Sequence, residues 1–312
     1  MMADNDRIAV LLPAYNEAVA IEAVIAAFRA ALPDARIYVY DNNSRDATAR
    51  VAREAGAVVR TERRQGKGHV VRRMFADIEA EIYIMCDADD TYDAAAAPAL
   101  VARLIEDNLD MVVGARTAIS DTAYRPAHEF GNWLLTGLVR LIFGDEFRDM
   151  LSGYRVFSRR FVKSFPIMSG GFEIETELTI HALELELPVA EVATKFKERP
   201  VGSASKLNTI SDGVRILWMI LALLKQERPL QVFAAVGGLL MIAALLTAWP
   251  LLPEYLATGL VPRLPTALLA TGMMLLGWLC VMNGLILDTV TRGRQEVKRL
   301  RYLELPGIGS AP

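Results

Sequence analysis

Asp87-Ala88-Asp89-Asp90 packs three carboxylates into four positions, directly after the apolar run Ile82–Cys86. Carboxylates this close repel one another unless a cation or a helix N-terminus compensates them. Hard oxygen ligands suit Mg²⁺ or Mn²⁺, which bridge to a diphosphate and act as a Lewis acid on the leaving group. The cluster as a whole is a candidate metal site. A surface turn is the plain alternative, with Asp93 capping the next helix, and an isolated D-x-D pattern is a weak signal. Two other polar clusters follow apolar runs: Pro13-Ala14-Tyr15-Asn16-Glu17 and Asp41-Asn42-Asn43-Ser44. Acidic side chains there can accept hydrogen bonds from a base and a ribose, and helix capping explains Asn16-Glu17 and Asn43-Ser44 equally well. Gly66-Lys67-Gly68 precedes a helical pattern, where glycines, a lysine and a helix N-terminus make a phosphate cradle. Arg60, Arg63, Arg64, Arg72 and Arg73 surround it and read mostly as a solvated basic face.

These residues need a scaffold that brings them to one edge. Strands are expected at Ile8–Leu12, Ile37–Tyr40, from Val58, at Ile82–Cys86 and at Met111–Val113. Helices are expected at Glu17–Ala31, from a Ser44 cap to Ala55 with Gly56 ending it, at Gly68–Ala80, and over about Ala94–Glu106. Alternating strand and helix imply an α/β fold with a parallel sheet, which binds ligands beyond the carboxyl ends of its strands. The first glycine is Gly56, so neither the dinucleotide fingerprint nor a P-loop follows the first strand.

The back of the chain has a different character. The protein has 312 residues, is 53% hydrophobic and carries a formal net charge of -3. That charge argues against a nucleic-acid partner. Mean hydropathy is +0.27, with the excess concentrated after Ile216. Val232–Leu252 and Leu264–Leu287 are free of charge over 21 and 24 residues, long enough to cross a bilayer. Trp133–Phe143 and Ile216–Leu224 are too short to cross and read as interface or core helices. Arg292, Arg294, Lys298, Arg299 and Arg301 outweigh Glu296, which places both flanks of the hairpin, and both termini, in the cytosol. A buried hairpin in a soluble protein is the alternative. The polar, acidic start from Met1 to Arg7 does not read as a signal peptide, and Cys86 and Cys280 fit a reducing compartment. The expected division is a catalytic domain over 1–209, an amphipathic juxtamembrane helix over 210–231, spans at 232–252 and 264–287, and a basic cytosolic tail over 288–312. Pro306–Pro312 reads as loose.

Taken together, Pro13–Glu17, Asp41–Ser44, Gly66–Gly68 and Asp87–Asp89 resemble the family 2 glycosyltransferases of the GT-A fold. Val113-Gly-Ala-Arg116, Asp149-Met-Leu-Ser-Gly-Tyr-Arg155 and Arg199…Gly202…Ser205-Lys206 narrow the resemblance to dolichol-phosphate mannose synthase and bacterial polyprenyl-phosphate glycosyltransferases. The likeness covers roughly residues 7 to 210 and implies a Rossmann-like, mostly parallel sheet followed by interface helices and a two-helix membrane hairpin.

By position, the resemblance implies that Pro13, Tyr15, Glu17, Asp41 and Asn43 hold the nucleoside and Lys67 supports binding near it. Asp87 and Asp89 would serve the sugar diphosphate and Mg²⁺ or Mn²⁺, with Asp89, Asp149 and Arg155 as the catalytic candidates. Arg116, Arg155, Arg199, Ser205 and Lys206 would handle phosphates, those of a polyprenyl phosphate acceptor included. Asp149 and Glu173 are candidate orienting groups, and structural hydrogen bonding explains them equally well. The expected reaction is inverting sugar transfer from a UDP- or GDP-sugar to an undecaprenyl or dolichyl phosphate, by an integral protein of a bacterial inner membrane. A homo-oligomer is compatible with this reading. Two departures stand out: Thr91 occupies the place of a polar amide ligand, and the Gly202–Lys206 spacing is one residue long. A hydroxyl-directed transferase of the same fold is the first alternative. None of the four tryptophans follows an arginine, so its Q-x-x-R-W signature is absent. A non-catalytic membrane adaptor is the second.

Overall fold

The apolar runs of the first half become strands because each is short and β-prone; β1 and β4 are buried on both faces, while β3 at the sheet edge is half-buried to exposed. The computed structural model describes residues 7–118, 149–167, 170–171, 173–197, 225 and 228–308. Arg199, Ser205, Lys206 and the segments Trp133–Phe143 and Ile216–Leu224 lie outside the described residues. The strands are β1 (Ile8–Ala14), β2 (Arg36–Asp41), β3 (Val58–Thr61), β4 (Ile82–Met85), β5 (Met111–Ala118), β6 (Arg155–Ser158) and β7 (Val189–Phe196). Their order is β3-β2-β1-β4-β6-β5-β7, with β6 antiparallel to both neighbours and the other pairs parallel.

Helices cover both faces. On one lie α1 (Ile21–Ala31), α2 (Thr48–Glu54) and α4 (Ala97–Glu106), packed through Val24, Phe28, Ala52, Leu100 and Leu104. On the other lie α3 (Lys67–Asp77), α5 (Arg159–Ser164) and α6 (Ile174–Glu184), packed through Val71, Met74, Phe161, Ile174 and Leu178. Two helix starts differ from the sequence reading. Helix α1 begins at Ile21 rather than Glu17, and α2 at Thr48 with no side-chain cap from Ser44. The side chains after β2 cap the loop after β1 instead. Ser44 Oγ accepts from Asn16 N at 2.9 Å, Thr48 Oγ1 from Glu17 N at 2.9 Å, and Asp46 Oδ2 from Ala18 N at 3.1 Å. The two loops are thereby tied together at the carboxyl edge.

Helix α6 is buried nearly all round, and His181 sits inside it. Both ring nitrogens lack a hydrogen-bond partner among the described residues, and the rings of Phe161 and Phe165 lie 5.3 and 4.9 Å away. Burial, with a smaller push from the Lys298 ammonium, lowers the imidazole pKa to about 3. The folded-state pKa is depressed, so the unfolded chain binds the proton first as pH falls. Stability present above about pH 6.5 is therefore lost progressively toward pH 3. Between pH 7 and 5 the wild-type chain is expected to lose about 2 kcal/mol more than His181→Leu. Thermal unfolding of both proteins at the two pH values checks this; parallel losses would remove His181 as the cause.

The chain divides into two units, Met1–Ile216 with Lys298–Pro312, and Leu217–Val297. The second unit contains α7 (Pro229–Ala248), α8 (Leu251–Thr258) and most of α9 (Leu264–Leu303). Two segments, Pro229–Thr258 and Leu264–Leu303, are long and apolar enough to cross a membrane, with peak hydropathies of 2.2 and 1.8. Glycines lie where the two helices approach: Gly237 on α7 meets Gly277 O on α9, and Gly284 on α9 meets Leu230 and Phe233 on α7, while the buried residues of α9 are Ala270, Gly277, Gly284 and Thr291. The seven-residue spacing on α9 keeps one stripe facing its neighbour. A methyl group on Gly277 would stand 2.7 Å from Met241 Cγ and 2.9 Å from Gly237 O, so the backbones approach too closely for a side chain.

Helix α9 runs without a break through the segment expected to be a separate basic tail. Its end belongs to the catalytic unit. Lys298 Nζ lies 2.6 Å from the buried Glu184, and Tyr302 donates to Asp110 at 2.7 Å while the Arg160 guanidinium lies over its ring. Tyr302 packs on the core beneath α3, α5 and α6, and Ile308 on the core of the opposite face. The stretch through Ile308 is thus docked rather than loose.

Candidate active site

The carboxyl ends of β1, β2 and β4 lie side by side, in register Pro13↔Tyr40, Ala14↔Asp41 and Leu11↔Met85. The three polar clusters therefore share one edge. Asp41 is buried, and its Oδ2 accepts from Ser44 N at 3.2 Å. Its Oδ1 has no hydrogen-bond partner among the described residues. A buried carboxylate oxygen left open is an acceptor held ready for a ligand N–H or O–H. Pro13 and Tyr15 are half-buried beside it, Glu17 is buried, and Asn43 is exposed with φ 67°. Asn42, within the quoted motif but given no role from sequence, ties this edge to the next loop. Its amide donates to Glu62 O at 3.1 Å and Arg64 O at 2.7 Å and accepts from Gly66 N at 2.7 Å.

That bond and another change the reading of Gly66-Lys67-Gly68 as a phosphate cradle. Gly66 N is spent on Asn42, and Gly68 N donates to Gly171 O at 3.0 Å. Gly66 has φ 133°, and any Cβ there would collide with Gly170 O. The glycine thus permits close approach of two backbones rather than of a ligand. Lys67 is inward-facing. Its ammonium lies 2.5 Å from Asp87 Oδ1 and also contacts the buried Glu175 carboxylate. Burial works against the Lys67 charge, but the two carboxylates outweigh it and raise the pKa.

The Asp87 carboxylate packs on the Gly153 backbone, where a Cβ would collide with its Oδ2. Asp89 is 3% exposed and accepts from Thr91 Oγ1 at 2.6 Å. Thr91, in the place of the expected amide ligand, thus braces Asp89 instead. Among the described residues no group of three or more His, Cys, Asp or Glu side chains could hold a metal by itself. Two hard carboxylates still fit Mg²⁺ or Mn²⁺, which take one or two protein ligands and complete their shell with phosphate and water.

The arginines differ most from expectation. Arg116, at 2.8 and 2.7 Å, makes a bidentate pair with Asp149, whose Oδ2 also accepts Arg116 N at 3.0 Å. Burial alone would raise the Asp149 pKa, but Arg116 holds it below the ordinary range. Asp149 is therefore an orienting group for Arg116. Arg155 is fully buried. It donates to Ser152 O at 2.9 Å, Met150 O at 2.5 Å and Thr179 Oγ1 at 2.8 Å. Each guanidinium nitrogen is engaged inside the protein, with Nη1 also 3.5 Å from the Met111 sulfur. That geometry fits a strut joining the 149–154 loop to α6, not a contact to acceptor phosphate. Glu175 carried no local sequence signal, since its partner Lys67 is 108 positions away; the expected orienting residue, Glu173, lies two positions earlier.

A mostly parallel seven-stranded sheet with helices on both faces and carboxylates beyond its central strand is the architecture of the GT-A fold. The model of glycosyl transferase family 2 matches residues 9–165. Glycosyltransferase AglJ of Haloferax volcanii is 32% identical over 97% of this chain and 100% of its own length. The chain belongs to glycosyl transferase family 2. A dolichyl-phosphate hexose transferase of the same organism is 26% identical over 72% of this chain and 96% of its own. Glucosyl-3-phosphoglycerate synthase of Mycobacterium tuberculosis, crystallised with Mn²⁺ and UDP-glucose, shares the fold. Its TM-score is 0.56 at 24% identity, over 70% of this chain and 78% of that one.

Proposed function

We propose that the protein transfers a hexosyl or N-acetylhexosaminyl unit from a UDP- or GDP-sugar to a polyprenyl phosphate, at the cytosolic face of a membrane. The observation that carries this reading is the presence, in one chain, of a GT-A donor edge and two helices long and apolar enough to cross a bilayer. An acceptor presented by lipid explains why a transferase would carry such helices, and the likeness to a dolichyl-phosphate hexose transferase supports the same acceptor.

The open Asp41 oxygen receives an N–H of the base, with Pro13, Tyr15 and Glu17 walling the nucleoside. Asp87 and Asp89 would hold Mg²⁺ or Mn²⁺, which supplies neutralising charge to the leaving diphosphate. Arg116, fixed by Asp149, brings a further cation to the same edge. Phosphate is already anionic at neutral pH, so its oxygen attacks the anomeric carbon without a strong general base. The new C1–O bond forms as the C1–O bond to the diphosphate breaks, with inversion. Catalysis then rests on positioning and charge stabilisation. Arg199, Ser205 and Lys206 remain proposed contacts to the acceptor phosphate.

Full-length protein in nanodiscs, given labelled UDP- and GDP-sugars, tests this with undecaprenyl phosphate and undecaprenol in parallel. Transfer to the phosphate alone is expected, stopped by chelator and restored by Mg²⁺ or Mn²⁺. Transfer to the alcohol instead would establish a hydroxyl acceptor. Nucleotide-sugar binding without transfer would establish an adaptor. Full turnover in excess chelator would remove the metal.

A further inference from the structure

We propose that Lys67 is the resident counter-cation of Asp87, and that Glu175 is a positioning residue that draws Lys67 aside when a divalent cation loads. This rests on the reading that Asp87 and Asp89 hold that cation, and assigns a function to a residue outside every motif of the donor edge.

One ammonium stands between two carboxylates of unlike setting. The Asp87 side chain is 29% exposed and faces the donor edge, whereas that of Glu175 is 6% exposed within the domain. A divalent cation on Asp87 cannot coexist with an ammonium 2.5 Å from the same oxygen, because like charges that close repel strongly. One of the two must yield. The Asp87 carboxylate already packs on the Gly153 backbone and cannot retreat in that direction. Lys67 has a flexible four-carbon stem, and its second partner is already in contact.

Glu175 is firmly seated. It lies in the first turn of α6, and its carbonyl accepts from Thr179 Oγ1 at 3.1 Å. The same hydroxyl accepts from the fully buried Arg155 at 2.8 Å. The root of Lys67 is fixed too, by the bond from Gly68 N to Gly171 O. Lys67 can therefore leave Asp87 without becoming an unpaired buried charge, which would be strongly unfavourable. With Glu175 neutralised, the ammonium keeps Asp87 as its only anionic partner in this trio and competes harder with the metal. With both groups neutralised, the competitor is gone.

Mn²⁺ alone, titrated onto the full chain in nanodiscs and read as free Mn²⁺ by electron paramagnetic resonance, tests this without acceptor or turnover. Glu175→Gln is expected to weaken Mn²⁺ binding about tenfold, and Lys67→Met to strengthen it, each change lying within ordinary pairwise coupling. The double variant Lys67→Met/Glu175→Gln is expected to recover at least the wild-type affinity. A purely structural role for Glu175 would instead lower the melting temperature and leave the double variant as weak as Glu175→Gln. That result, an unchanged affinity in Glu175→Gln, or no Mn²⁺ binding by the wild-type chain would overturn the proposal. Failure of the cycle in a chain that still transfers sugar to undecaprenyl phosphate overturns the Lys67–Glu175 assignment alone.

Discussion

Asp89→Ala is expected to abolish sugar transfer while the chain stays folded and in the membrane. Asp89 is buried at the donor edge, where its neighbours Asp87 and Asp90 also carry negative charge. Removing one of the two proposed metal carboxylates removes charge stabilisation that is usually worth several kcal/mol, or roughly a thousandfold or more in rate. Part of the effect could come from the turn, because Thr91 leans on Asp89 through both its hydroxyl and its N–H, at 2.6 and 3.2 Å. Asp89→Asn separates the causes. It retains an oxygen for Thr91 but loses the negative charge. Steady-state transfer and circular dichroism on both variants check the expectation. Activity within tenfold of wild type in Asp89→Asn would leave Asp89 a structural turn residue.

Arg155→Lys is expected to cost folding stability before it costs substrate recognition. The guanidinium serves three oxygens in three directions, Ser152 O, Met150 O and Thr179 Oγ1. Burial depresses its pKa to about 10, which still leaves it charged at neutral pH. A lysine ammonium, a point charge on a thinner stem, cannot replace that planar fork. Leaving two buried acceptors unserved should cost at least about 2 kcal/mol, and truncation to alanine about 3–5 kcal/mol. The melting temperature of Arg155→Lys should fall by roughly 4–8 °C. Activity should fall with it, because the strut holds the loop that carries Asp149 and Gly153. An unchanged melting temperature with a raised KM for acceptor would return Arg155 to phosphate recognition.

The first half of the fold is legible in the sequence because each element there obeys its own period. Ile8–Leu12 and Ile82–Cys86 are short apolar runs, and Ile21, Val24, Ile25 and Phe28 recur at helical spacing. Past Arg116 the elements break those rules. Strand β6 is four residues long and begins with a buried arginine. Helix α6 buries Glu175, Thr176, Thr179 and His181 alongside its apolar residues, so it shows no amphipathic stripe. The site divides similarly. Asp41, Asp87 and Asp89 are readable because a strand end fixes where they point. The partners of Lys67, Arg116 and Arg155 are not, since residue type reveals charge but not burial. Asp149 opens the motif that Arg155 closes, yet its carboxylate is bidentate to Arg116, 33 positions away.

The docked end of α9 ties completion of the enzyme to the order in which its chain is made. Asp110 gathers Ser158, Arg160 and Tyr302, and Tyr302 comes 192 positions after it. A ribosome adds about 5–20 residues each second and works from the front, so the catalytic half emerges well before its last supporting side chains. Until Lys298 and Tyr302 arrive, Glu184 lacks its cation and one side of Asp110 stays open. Both apolar helices must be synthesised before that gap can close. A nascent chain stalled or cut within the hairpin would thus carry an unfinished catalytic half, a state that chaperones and proteases can distinguish from the finished enzyme.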